Sequence, residues 1–326
     1  MSDSCLCGVG MNNTGLATCL PAFKKTTGLF LVPLFANDGT RNSIDMSTTI
    51  DLGAKTNHAD KSKRFYPIQD LKDVELPVAD TKFKTYKDGT KRKLADGVRS
   101  FKATMPEASS VLIGKLQGVS CEKFGVYLFD IDGQLRGLKD GTLLYPVEIG
   151  GFDAIFKDAT DDEVNEGMIQ FDFDILLKVS KFWILSSTDL NVNPNETSGL
   201  IDANLVEVSS GATSTVLNIS SDFGSGLATN PAPIVGLVTA DFSAYNDTDA
   251  SAVTVTVAES TTIDGEYTIT YTSQTSADLV TFNVLPASGF EGSIQKYKLA
   301  SSYRNIQYLQ KYSYLLVVFF LYLLIE

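Results

Sequence analysis

The sequence predicts a mainly β protein: an N-terminal sheet or barrel domain with at least one packed helix, followed by an Ig-like β-sandwich. Three observations carry this. Asp-Gly pairs recur at Asp38-Gly39, Asp88-Gly89, Asp132-Gly133 and Asp140-Gly141, each between apolar or alternating segments, and such pairs favour tight hairpin turns. Val, Ile and Tyr alternate with Thr and Ser at period two over the later part of the chain, the pattern of half-buried strands. Finally, Lys and Arg stop at Lys181 and do not reappear until Lys296, which marks a change of domain.

The length of 326 residues suits two ordinary domains, at roughly 100–200 residues each. In the first, the strongest strands are Gly28–Phe35, Phe124–Asp130, Leu143–Ile149 and Gly167–Asp174. In the last of these Met168, Gln170, Asp172 and Asp174 alternate with Ile169, Phe171 and Phe173, so one face is wet and one buried. A helix is expected over Ser109–Gln117, after Pro106, with Val111, Leu112 and Leu116 on its apolar side and Gly118 as its stop. The polar run from Ser186 to Asn195 reads as the linker. Beyond it, strands are expected at Val206–Val208, Thr215–Ile219, Ile234–Val238, Ala252–Val257, Glu266–Tyr271 and Thr281–Leu285, with Thr262–Gly265 as a hairpin connection. The division is therefore 1–190, 196–298 and a hydrophobic tail, 299–326.

Hydrophobic residues make up 44% and charged residues 20%, enough for a real core. The net charge is −12, which disfavours a basic face for nucleic-acid binding. Residues 182–295 hold thirteen acidic residues and no basic one, whereas 1–181 carry 23 basic and 25 acidic residues.

The residues that carry chemistry are sparse. His58 is the one histidine, so most hydrolase triads and imidazole metal sites are excluded, and its polar neighbours Asn57 and Asp60 place it in a loop. Cys5, Cys7 and Cys19 lack the usual ligand spacing and a local fourth ligand, so plain thiols are expected there, as for Cys121. The N-terminal stretch has neither a basic nor an apolar signal region, so a reducing cytosol and unpaired thiols are expected. Asp130-Ile131-Asp132-Gly133 opens like a calcium loop, but Gln134 and Gly141 stand where further ligands are needed, which leaves a hairpin turn. Asp158, Asp161, Asp162, Glu163 and Glu166 read as a helical turn opening after Thr160. Asp172 and Asp174 read as a solvated strand face. No phosphate-cradling, dinucleotide, zinc-protease or serine-hydrolase motif occurs. No enzyme activity, cofactor or metal is expected. The basic cluster Lys82, Lys84, Lys87, Lys91, Arg92 and Lys93 surrounds the Asp88-Gly89 turn. It reads as a charged loop that meets an acidic neighbouring subunit, with Lys91, Arg92 and Lys93 opposite Asp161, Asp162 and Glu163. Tyr312–Ile325 is too short for the ~20 apolar residues of a membrane-crossing helix, so a buried terminal segment or an altered chain ending is expected in place of an anchor.

Several stretches resemble the tail-tube class of virion structural proteins of tailed bacteriophages and prophages of Bacteroidota-type hosts. They are Gly28–Asn42 (GLFLVPLFANDGTRN), Arg64–Pro67 (RFYP), Asp96–Pro106 (DGVRSFKATMP), Phe124–Gly133 (FGVYLFDIDG) and Phe171–Asp174 (FDFD). Gly236–Asn246 (GLVTADFSAYN) is similar to the sandwich appended to such proteins, whereas the sequence from about Ala300 departs from them. The resemblance implies a ring-forming, hexameric homo-oligomer whose sheet lines a tube, with the sandwich outside. Its partners would be other copies, other virion proteins and DNA in unspecific transit, with assembly in the bacterial cytoplasm and no membrane. A mildly acidic lumen suits that role, because positive charge would bind passing phosphates. The alternative is a cell-surface or carbohydrate-binding adhesion module, tethered to a membrane by the tail.

Overall fold

The computed structural model describes residues 22–95, 97–106, 108–120, 122–161, 164–174, 181–211, 213–221, 232–275 and 278–297. The expectations for the four cysteines, Asp162, Glu163 and the hydrophobic tail fall outside these residues. The chain divides into two units at Gly199/Leu200.

The first unit runs β1 (Thr26–Pro33), β2 (Ile44–Asp45), α1 (Leu52–Thr56), β3 (Tyr66–Ile68), β4 (Lys72–Glu75), β5 (Lys82–Thr85), β6 (Lys91–Ala95), β7 (Ser100–Pro106), α2 (Ser110–Gly118), β8 (Phe124–Asp130), β9 (Leu135–Asp140), β10 (Leu143–Tyr145), β11 (Val147–Lys157), β12 (Glu166–Phe173) and β13 (Phe182–Leu185). Eleven strands share one sheet, ordered β2-β10-β9-β8-β11-β12-β7-β4, with β1 bonded to β8 and β3, and β13 to β9. The sheet forks at β8. One flank of β8 pairs along its length with β1, while the rest of its pairing is divided between β11 at Gly125–Val126 and β9 at Leu128–Phe129. All seven residues of β8 are buried, the mark of a strand covered on both faces. Period two then sorts the side chains: Leu29, Leu31, Val126 and Leu128 enter one core, and Phe30, Val32, Tyr127 and Phe129 enter the other. In the first core, Phe101 and Phe171 from paired strands stack at 4.7 Å.

The four Asp-Gly turns form as expected, with Gly39, Gly89, Gly133 and Gly141 all at positive φ. Helix α2 is capped by Ser109, whose Oγ accepts from the Val111 amide at 3.1 Å. It packs on the sheet, where the Gln117 amide donates to the Ala154 carbonyl at 2.7 Å. Its buried residues are Ile113 and Leu116, and Val111 is 60% exposed, because a 100° step per residue turns position 111 away from 113 and 116. The strand expected over Leu143–Ile149 is two strands, since Pro146 has no amide to continue the ladder. The run Ser186–Asn195 is no free linker. Asn191 bonds Asp51 at 2.7 Å, and Gln69 donates to the carbonyls of Pro194 and Thr197 at 2.9 and 2.8 Å. Asn195 accepts from Thr27 at 2.6 Å and donates to the Asp130 carbonyl at 2.8 Å.

The second unit runs β14 (Ile201–Ser210), β15 (Ser214–Ser221), β16 (Ala232–Pro233), β17 (Phe242–Asn246), β18 (Ser251–Val253), β19 (Val255–Glu259), β20 (Glu266–Tyr271), β21 (Leu279–Val284) and β22 (Phe290–Tyr297). The order β18-β17-β21-β22-β14-β15-β20-β19 folds into two layers, joined where β22 pairs with β14 in parallel. Leu217, Ile219, Tyr267 and Ile269 of one layer face Phe242, Val280, Phe282 and Val284 of the other. Rings meet across the gap: Phe242 and Tyr267 lie 5.8 Å apart, and Tyr271 and Phe282 lie 5.7 Å apart. Ala252–Val257 is not one strand. Its first half pairs with β17 and its second with β20, so the chain changes layer at Thr254. Ile234–Val238 is irregular chain that buries Ile234 and Leu237. Its backbone is held by the Tyr267 hydroxyl, which donates to the Ile234 carbonyl at 2.9 Å and accepts from the Leu237 amide at 3.2 Å.

Candidate interaction surface

The basic cluster forms a two-stranded arm, β5–β6, that pairs with no other strand of the described residues. Its register places Phe83 beside Lys93, Lys84 beside Arg92 and Thr85 beside Lys91. Every residue of β5 is exposed, including Phe83 at 56%, and Leu94 of β6 is 61% exposed. At the tip Gly89 takes φ +84°, and the Asp88 carboxyl accepts from the Thr90 hydroxyl and amide at 2.7 and 3.0 Å. Those bonds hold the Asp88 pKa below the ordinary carboxylate value. At the root, the Ala79 amide donates to the Val98 carbonyl and the Ser100 amide to the Pro77 carbonyl, at 2.8 and 3.0 Å. The two chains cross closely there, since a Cβ on Gly97 would lie 1.6 Å from the Ala79 carbonyl oxygen. The arm thus has a fixed root and an uncovered shaft.

Lys91 and Arg92 make no ion pair with a described carboxylate. Of the acidic run, the described residues Asp158, Asp161 and Glu166 are not helical. Asp158 and Asp161 lie in the connection from β11 to β12, exposed, and the Ala159 amide donates to the Asn165 side chain at 2.8 Å. Glu166 begins β12 and faces Lys157 at 3.8 Å. The antiparallel pairing of β11 with β12 accounts for this, because it puts Asp158 and Asp161 in the connection between two strands.

The other singled-out residues have local structural partners. The His58 Nδ1 accepts from the Asp60 amide at 3.0 Å in a polar loop. Asp130 is buried and accepts from the amides of Lys24, Asp132 and Gln134 at 2.8, 3.0 and 2.9 Å, which closes the β8–β9 turn. Asp132 pairs with Lys24 at 2.6 Å. Asp172 accepts from the Ser100 hydroxyl at 2.6 Å on an exposed face. Among the described residues no three His, Cys, Asp or Glu side chains are grouped to hold a metal, and no helix is long and apolar enough to cross a membrane.

Two features escaped sequence reasoning. Strand β13 pairs only with β9 among the described strands, and it carries Trp183, 40% exposed, with the Lys139 ammonium 3.6 Å from its ring. Arg136, on β9, is half-buried against the Phe182 ring at 4.0 Å. Its sequence context, Gln134-Leu135-Arg136-Gly137-Leu138-Lys139, gives no signal for it. No protein-family model matches the chain, and no curated protein matches it at a significant level.

Proposed function

We propose that the chain is a structural subunit that self-associates into a ring or tube, the tail tube of a tailed bacteriophage, with the sandwich as an added outer domain. The observation that supports self-association is the β5–β6 arm. An isolated two-stranded hairpin is at best marginally stable in water, yet this one has a tight root, a basic shaft and uncovered Phe83 and Leu94. A second copy supplies what the shaft lacks, because the chain as a whole carries −12. The acidic residues of the β11–β12 connection, among them the exposed Asp158 and Asp161, are the partners we assign to Lys91, Arg92 and Lys93. Strand edges at β13 and β4 offer further backbone pairing to neighbours. The tube itself rests on the resemblance of the first-unit segments, and an acidic conduit lets DNA pass without binding.

Light scattering and negative-stain microscopy of the purified protein test this. Rings or tubes are expected from the parent. Replacing Lys91, Arg92 and Lys93 together by Glu is expected to lower the assembled mass while circular dichroism stays β-rich. Assembly is also expected to weaken with salt, because exposed ion pairs are screened. A parent that stays monomeric at all concentrations, or a triple variant that assembles equally well, overturns the reading.

A further inference from the structure

The fork in the first sheet leaves an opening beside β8. It is a cavity of about 50 Å³, walled by Leu128, Val147, Phe173 and Phe182, with Arg99 and Arg136 also at its lining. At one water-sized group per roughly 10–15 Å³, it holds about four such groups. The Arg136 guanidinium carbon lies over the Phe182 ring, 4.0 Å from its centre, and 5.6 Å from the centre of the Phe23 ring. A guanidinium stacked on a ring still presents its in-plane N–H edge for hydrogen bonds. That edge has no acceptor among the described residues, and neither arginine side chain forms an ion pair with a described carboxylate. Burial, and then the charge of Arg99, hold the Arg136 pKa below its ordinary value, so the two cations are close enough to repel. Two like charges, half-buried in an apolar niche without a counter-ion, favour an incoming anion over water.

We propose that this niche is a binding site for a carboxylate on a short apolar stem. The carboxylate lies against the N–H edges of Arg136 and Arg99, and its stem lies against Leu128, Val147 and Phe173. A carboxylate with one or two carbons fills the volume. A guanidinium edge matches its two oxygens in a way that a point charge does not. The donor is either a free acid of the size of acetate or propionate, or an Asp or Glu side chain of a second copy. The second source rests on the self-association reading, and the first does not.

The test replaces chloride by acetate at constant ionic strength and follows the melting temperature of the full chain. A saturable rise is expected, since a ligand that binds only the native state stabilises it. In Arg99→Gln, which leaves the Phe182 stack intact, half-saturation is expected to need at least tenfold more acetate. Arg136→Lys keeps the charge but not the planar fork, and the same loss is expected. No saturable rise in the parent, or unchanged half-saturation in both variants, overturns the site, whether or not rings form. Light scattering then separates the sources. Lower assembled mass in both variants, and in the parent under acetate, assigns the donor to a second copy; unchanged mass assigns it to a free acid.

Discussion

Gly97 sits where a side chain cannot. With the Ala79 carbonyl oxygen 1.6 Å from its would-be Cβ, Gly97→Ala must push the two chains of the arm root apart. We expect faster trypsin cleavage at Lys82–Lys93 in that variant, with little change in the melting of the sheet, because opening is local. Tyr127 answers to a different pressure. It is fully buried, and its hydroxyl donates to the Leu144 carbonyl at 2.7 Å. Burial raises its pKa well above the ordinary phenol value, and burial likewise raises those of Tyr267 and Tyr271. A raised folded-state pKa means that stability is complete below the unfolded value, about 10, and is lost as pH rises through the folded value. Absorbance at 295 nm is expected to show these phenols ionising only as the β circular dichroism collapses. Tyr127→Phe is expected to cost about 1 kcal/mol at neutral pH and to make the first unit less sensitive to alkali. Neither residue announced itself in the sequence. A glycine's close approach and a tyrosine's burial depend on partners distant along the chain.

At the scale of elements, legibility followed local chemistry. Asp-Gly turns, the helix after Pro106 and the alternation in β12 depend on neighbours in sequence, and all three formed as expected. The layer change at Thr254 could not be read, because the alternation continues unbroken through it while the hydrogen-bonding partner changes. The polar run after Ser186 misled for a related reason. Asn and Pro favour irregular chain, but irregular chain also docks when its polar groups find partners. Truncation makes this measurable. A first unit ending at residue 190 loses the bonds made by Asn191, Asn195 and the Pro194 and Thr197 carbonyls, whereas one ending at 199 keeps them. The shorter fragment is expected to melt several degrees lower, at about 2–4 °C per kcal/mol for a unit of this size.

At the scale of the whole molecule, the basic residues stop at Lys181, whereas the division into two units falls at Gly199/Leu200. Charge follows composition, whereas the boundary follows contacts, and residues 182–199 carry the acidic composition of the second unit on the fold of the first. Residues 200–297 alone are expected to give a dispersed NMR spectrum of a β protein, since their core closes without the first unit. A disordered spectrum would show that the second unit depends on the first.

The parallel seam between β14 and β22 also governs how the second unit bears load. The two strands begin side by side, Ile201 opposite Phe290 and Asp202 opposite Glu291. From Phe290 to Tyr297 the chain then advances about 23 Å at ~3.3 Å per residue. Entry and exit are therefore separated along the strand direction. Tension applied between them slides β14 against β22 instead of peeling one away, and the bonds across the seam are strained together. Under a pull applied between Ile201 and Tyr297, the β14–β22 seam is therefore loaded in shear and is expected to yield first.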